Sequence, residues 1–103
     1  DDEQPAAHQE AAEKAYQEAE KEIQSDRWDL IILDEINYAV KFELLTVDKV
    51  MALLDKKPSA LHLVLTGRDA APEVIGRADL VTEMKLIKHP YQKGIKAQKG
   101  IEF

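Results

Sequence analysis

Four consecutive aliphatic residues, Leu30-Ile31-Ile32-Leu33, run straight into two carboxylates, Asp34 and Glu35, and Ile36-Asn37-Tyr38 follow. Such a run has no polar face. As a strand it is expected to be covered on both sides, like the central strands of a parallel α/β sheet. Burying an unpaired charge is costly, whereas the carboxyl end of a parallel strand opens into the crevice where such sheets bind ligands. Asp34 and Glu35 are therefore expected at the lip of the sheet, where paired carboxylates suit a divalent cation.

The rest of the chain alternates between helical and extended patterns. Residues 5 to 24 read as a helix with Pro5 in its first turn. Its stripe of Ala12, Tyr16, Ala19 and Ile23 is narrow and needs a partner surface. Ser25-Asp26-Arg27 reads as a turn, and residues 36 to 45 as a short helix or helical loop. Thr46 suits the N-cap of a helix from Val47 to Lys56, with Val47, Val50, Met51 and Leu54 on its buried face and Pro58 as its stop. Leu61 to Leu65 form a second strand that ends in Thr66-Gly67-Arg68. Asp69 is placed to cap a further helix from about Pro72 to Ala78, and Leu80 to Ile87 form a third strand. This alternation implies one parallel three-layer α/β domain with right-handed crossovers, its strand tips on one edge. Asp34, Glu35, Thr66, Gly67 and Arg68 are expected to converge there.

Charge divides the chain into an acidic helix (residues 1–26), alternating strand and helix units (27–87) and a basic tail (88–103). Nine acids against Lys14 and Lys21 give the first part a balance of −7 within a net charge of −6. From Lys85 onward five lysines oppose Glu102 alone, which suits an anionic ligand or a solvated tail. The absence of cysteine excludes disulfides and thiol chemistry. No apolar run approaches a membrane span and no signal peptide is evident, so a cytoplasmic location is expected. The first residue is Asp rather than Met, as expected of a piece of a longer protein.

Gly67 would let backbone come close to a ligand, and Arg68 offers a planar fork for phosphate or carboxylate. A tight turn with an arginine paired to a nearby acid is the plainer alternative. Asn37 and Tyr38 lie near enough to the first strand tip to touch a ligand, or to serve in packing or capping. The aliphatic strand ending in Asp-Glu resembles a Walker B strand, whose Asp organises Mg²⁺ on a nucleotide phosphate. Yet no G-x-x-x-x-G-K-[ST] loop occurs among the four glycines, and three scattered histidines make no metal cluster.

Several blocks together carry a closer likeness: Leu33-Asp34-Glu35-Ile36-Asn37-Tyr38-Ala39, Val64-Leu65-Thr66-Gly67-Arg68, Ala78-Asp79-Leu80-Val81-Thr82-Glu83-Met84, Lys88-His89-Pro90-Tyr91, and the run from Gly94 to Phe103. In this order and spacing they resemble the carboxyl-terminal half of the P-loop type ATP:corrinoid adenosyltransferases. The resemblance implies a three-layer parallel sheet of P-loop NTPase (RecA-like) type, present only as its carboxyl-terminal half. It implies transfer of the 5′-deoxyadenosyl group of ATP to the cobalt of cob(I)alamin or a precursor corrinoid, with Mg²⁺ or Mn²⁺ as cofactor. Carried over residue by residue, Asp34 and Glu35 match the metal and triphosphate site, with Glu35 the stronger match and the catalytic one. Asn37, Thr66, Gly67 and Arg68 match the nucleotide or corrinoid cleft, and Lys96, Gln98 and Lys99 anion contacts or closure of the site. A homodimer burying the alanine stripe and an electron-donating flavoprotein are the implied partners, with no nucleic acid and no membrane. The family's glycine-rich loop is missing from this chain. Isolated, the chain is expected to be inactive, and a non-catalytic half-domain that pairs with itself or a complementary piece is the competing reading. Another RecA-type ATPase is a third, which the tail blocks argue against.

Overall fold

The structure, a computed structural model, describes residues 5–88. It opens with α1, Pro5–Ile23, followed by β1, Leu30–Leu33, then α2, Ile36–Lys41, and α3, Val47–Lys56. The order closes with β2, His62–Leu65, and α4, Pro72–Arg77. The two strands pair in parallel, with Leu30 opposite His62 and Leu33 opposite Leu65. A parallel pair requires a crossover, which α2 and α3 provide.

The helices build their core against one face of this sheet. Ile31, Leu33, Leu63 and Leu65 point into a cluster formed by Tyr16 and Ile23 of α1, Ile36 of α2, Val50 and Leu53 of α3, and Val74 of α4, with Leu45 and Leu61. The stripe read from the first helix is thus covered by α3 of the same chain, which Tyr16 reaches through its hydroxyl, donating 3.1 Å to the Lys49 carbonyl. This intramolecular contact takes the place expected for a dimer partner. Glu13–Lys49 and Glu20–Lys56 ion pairs flank the seam, so the acidic helix lies on a helix that supplies lysines.

Helix α3 begins as its sequence predicts. The Thr46 hydroxyl accepts from the Lys49 N–H at 3.2 Å, a cap that typically contributes about 1 kcal/mol. Its most buried residue, however, is Leu53, at 0 % exposure, which lies off the expected face. A helix packed against α1 on one side and α4 on the other buries a wider arc than a single seam. On the α4 side Arg77 donates to Asp55 Oδ1 at 2.6 Å.

Four expectations are not met among the described residues. Leu30 and Ile32 of β1 are 53 % and 57 % exposed, and His62 and Val64 lie on the same open face. Among the described residues the aliphatic strand is therefore covered on one side, not two. Leu80 to Ile87 form no strand among the described residues: Leu80 and Met84 are 83 % and 92 % exposed, and no neighbouring strand offers a ladder. The described sheet thus has two strands in a two-layer arrangement rather than three layers. Finally, Asp69 does not cap α4, whose N-cap is Ala71; Asp69 turns away to pair with Lys41.

Candidate functional site

Because Leu33 and Leu65 are register partners, the chain leaves both strands at the same height and on the same edge. Asp34-Glu35 and Thr66-Gly67-Arg68 consequently share one rim. The two turns are bonded to each other. The Thr66 N–H donates to the Leu33 carbonyl at 3.3 Å, extending the ladder past the last strand residue. The Thr66 hydroxyl donates to Asp34 Oδ1 at 3.0 Å and accepts from the Glu35 N–H at 2.9 Å. The Asn37 N–H then donates to the Thr66 carbonyl at 3.2 Å.

Asn37 completes the clamp. Its side chain is buried and donates to the Gly67 carbonyl at 3.4 Å. Gly67 adopts φ 124°, and a Cβ there would lie 2.9 Å from Asn37 Cβ and 3.2 Å from the Tyr38 nitrogen. Glycine is thus required by both conformation and space, because the two turns touch through it.

Glu35 is left-handed, at φ 62° and ψ 23°, a conformation that costs a residue with a Cβ roughly 1 kcal/mol or more. It occupies the N-cap position of α2, yet its side chain makes no capping bond. Its carboxylate makes no hydrogen bond or ion pair among the described residues and is exposed at the rim, as are Asp34 and Arg68.

Two side-chain pairings among the described residues were not anticipated from sequence. Lys41 at the end of α2 pairs with Asp69 in the loop after β2, and its ammonium holds the Asp69 carboxyl below the usual carboxylate range, with a smaller pull from Arg68. No local pattern announces a pair 28 residues apart. Tyr38 and Phe42 pack with ring centroids 4.4 Å apart and planes tilted by 38°, and both are half exposed. Their four-residue spacing across α2 and its C-cap was the available signal.

The rim offers two carboxylates for a cation and a guanidinium for an anion. Among the described residues no three metal-ligating side chains come together. Two carboxylates suffice for Mg²⁺, which keeps several waters and takes its remaining ligands from substrate phosphates. Lys96, Gln98 and Lys99 lie outside the described residues.

Comparison with known proteins gives a consistent picture. The family described as ATP:corrinoid adenosyltransferase BtuR/CobO/CobP matches residues 1–103. A corrinoid adenosyltransferase of Sinorhizobium sp. is 50 % identical over 93 residues, 89 % of this chain and 44 % of that protein. Its Pseudomonas aeruginosa counterpart is 46 % identical over 92 residues, 89 % of this chain and 45 % of that protein. The Escherichia coli K12 enzyme of the same name is 30 % identical over 93 residues, 90 % of this chain and 47 % of its own length. The chain thus spans a little under half the length of these relatives.

Proposed function

This chain belongs to the ATP:corrinoid adenosyltransferase family, and from that premise we propose that the complete protein transfers the 5′-deoxyadenosyl group of ATP to the cobalt of cob(I)alamin or a precursor corrinoid. The observation that carries the reading is the shared rim of Asp34-Glu35 and Thr66-Gly67-Arg68. Acids and a glycine-arginine turn, more than 30 residues apart in sequence, line one edge of a parallel sheet.

The reaction balances without a general acid or base. The lone pair of the reduced cobalt forms the Co–C bond, the C5′–O bond breaks, and triphosphate leaves with its electron pair. The protein's task is to position the reactants and neutralise charge. Glu35, with Asp34, would hold Mg²⁺ or Mn²⁺; when bound, the ion offsets the charge gathering on the triphosphate. Arg68 binds the leaving triphosphate or a corrinoid carboxamide edge, while Gly67 lets backbone approach the ligand. Asn37 fixes the turn through its two hydrogen bonds. Lys96, Gln98 and Lys99 contact anions or close the site.

The one-sided sheet supports the larger architecture of this reading. A three-layer RecA-like sheet would cover Leu30, Ile32 and Val64, and the remaining half would bring the glycine-rich phosphate loop that these 103 residues lack. Homodimerisation, an electron-donating flavoprotein and a cytoplasmic setting belong to the same reading. For the chain by itself, the open apolar face favours a second one, a half-domain that pairs with its complement and does no chemistry alone.

The deciding experiment expresses the reading frame extended upstream and supplies MgATP and cob(I)alamin. Conversion to adenosylcobalamin, followed by its visible spectrum, is expected; failure to convert, despite a phosphate loop upstream, would refute the activity. Calorimetry on the 103-residue chain alone is expected to detect no MgATP binding. Clear binding would overturn the inactivity assigned to the isolated chain.

A further inference from the structure

Thr66 was expected to line the ligand cleft, yet its hydroxyl is already engaged on both sides. Its single proton goes to Asp34 Oδ1 at 3.0 Å, and one lone pair receives the Glu35 N–H at 2.9 Å. A threonine hydroxyl has only one proton to give, so none remains for a phosphate oxygen. Its main chain is engaged as well, donating to Leu33 and accepting from Asn37. The residue is half-buried, whereas Asp34, Glu35 and Arg68 around it are exposed.

The geometry points to Thr66 as a positioning residue that sets the Asp34–Glu35 pair for a divalent cation without touching nucleotide or corrinoid. This deepens the proposed function and rests on it for the identity of the reaction. The bond to the Glu35 amide holds that residue in its left-handed conformation, which determines where the Glu35 carboxylate leaves the backbone. The bond to Asp34 occupies one carboxylate oxygen and leaves the other for a ligand. Hydrogen bonds of this kind, made to groups that hold a metal, orient those groups and are worth about 10–100-fold in metal affinity or activity. No local sequence signal marks the role, because the hydroxyl acts across a separation of 31 and 32 residues.

The test compares Thr66→Ser and Thr66→Val in the upstream-extended protein. Mn²⁺ binding in the presence of ATP is followed by electron paramagnetic resonance, and turnover is measured with MgATP and cob(I)alamin. Thr66→Ser, which keeps the hydroxyl, is expected to match the parent in both. Thr66→Val is expected to weaken Mn²⁺ binding and lower kcat by about 10–100-fold, with KM for ATP and for corrinoid nearly unchanged. Thr66→Ala carries the same expectation and replaces the valine variant if that does not fold. Parent-like Mn²⁺ affinity and kcat in the hydroxyl-free variants would overturn the assignment, as would a raised KM for ATP with kcat intact, the mark of direct ligand contact. If the parent binds Mn²⁺ with ATP but leaves cob(I)alamin unchanged, the proposed reaction falls, and the Mn²⁺ affinities still decide the role of Thr66.

Discussion

The carbonyl of Gly67 accepts the side-chain amide of Asn37 at 3.4 Å, and a Cβ on Gly67 would meet Asn37 Cβ at 2.9 Å. The turns after β1 and β2 are therefore in contact through the one residue that has no side chain. Any group added at that point must part them, and parting them moves Asp34 and Glu35 relative to Arg68.

Gly67→Ala is accordingly expected to cost about 1–3 kcal/mol through its left-handed φ and the contact with Asn37. Urea denaturation measures the loss. In the upstream-extended protein the same variant is expected to lower adenosyl transfer by more than its stability alone explains, because the turn bearing Arg68 shifts. Parent-like stability and turnover together would contradict the close approach.

Glu35→Ala separates chemistry from folding. The Glu35 side chain is exposed and makes no bond among the described residues, and alanine retains the Cβ that causes the left-handed strain. Thermal stability is expected to stay close to the parent's, while turnover falls on the order of 10²-fold or more for a lost charge-stabilising group. Undiminished turnover would refute the role of Glu35 at the cation.

The open sheet face predicts a dependence on context. Leu53→Ala, at a fully buried position, is expected to cost about 2–5 kcal/mol in the 103-residue chain and in the upstream-extended protein alike. Ile32→Ser is expected to stay within about 0.5 kcal/mol in the shorter chain, where Ile32 is exposed. In the longer protein it is expected to cost about 2 kcal/mol or more once the face is covered. Equal effects of Ile32→Ser in both would show that the remaining half does not pack there.

The Lys41–Asp69 pair gives a pH dependence of known sign. The Asp69 carboxyl titrates below its ordinary value because Lys41 donates to it and lies close in charge. A carboxyl with a depressed folded pKa contributes stability above its unfolded pKa and loses that contribution as the pH falls through the folded one. Lys41→Met is therefore expected to be slightly less stable than the parent at neutral pH and to converge with it in strong acid. Denaturation curves at pH 7 and pH 2 test this. Both groups are substantially exposed, so the neutral-pH difference is small and shrinks with added salt.

Much of this architecture was legible in the order of residues. The apolar runs named β1 and β2, Thr46 and Pro58 bounded α3, and strand–helix alternation implied parallel strands with their tips on one edge. Each of these follows from local rules: periodicity, capping, the geometry of proline, and the need of parallel strands for a crossover. The family, too, could be read from blocks of residues in sequence. What the pattern overstated was completeness. An aliphatic run records that a strand suits cover on both faces, but not whether that cover lies within these residues, and Leu30, Ile32 and Leu80 to Ile87 show the difference.

The sequence by itself determined which groups the rim would carry: two carboxylates after one strand, a threonine, a glycine and an arginine after the other. Only the tertiary structure decided how they divide the work. Hydrogen bonds that form when β1 and β2 come into register turn Thr66 inward between Asp34 and Glu35, send Asp69 to Lys41, and leave the Glu35 carboxylate exposed. Those bonds join residues about 30 positions apart, where helix and strand periodicity carry no information and through-space geometry alone selects the partner.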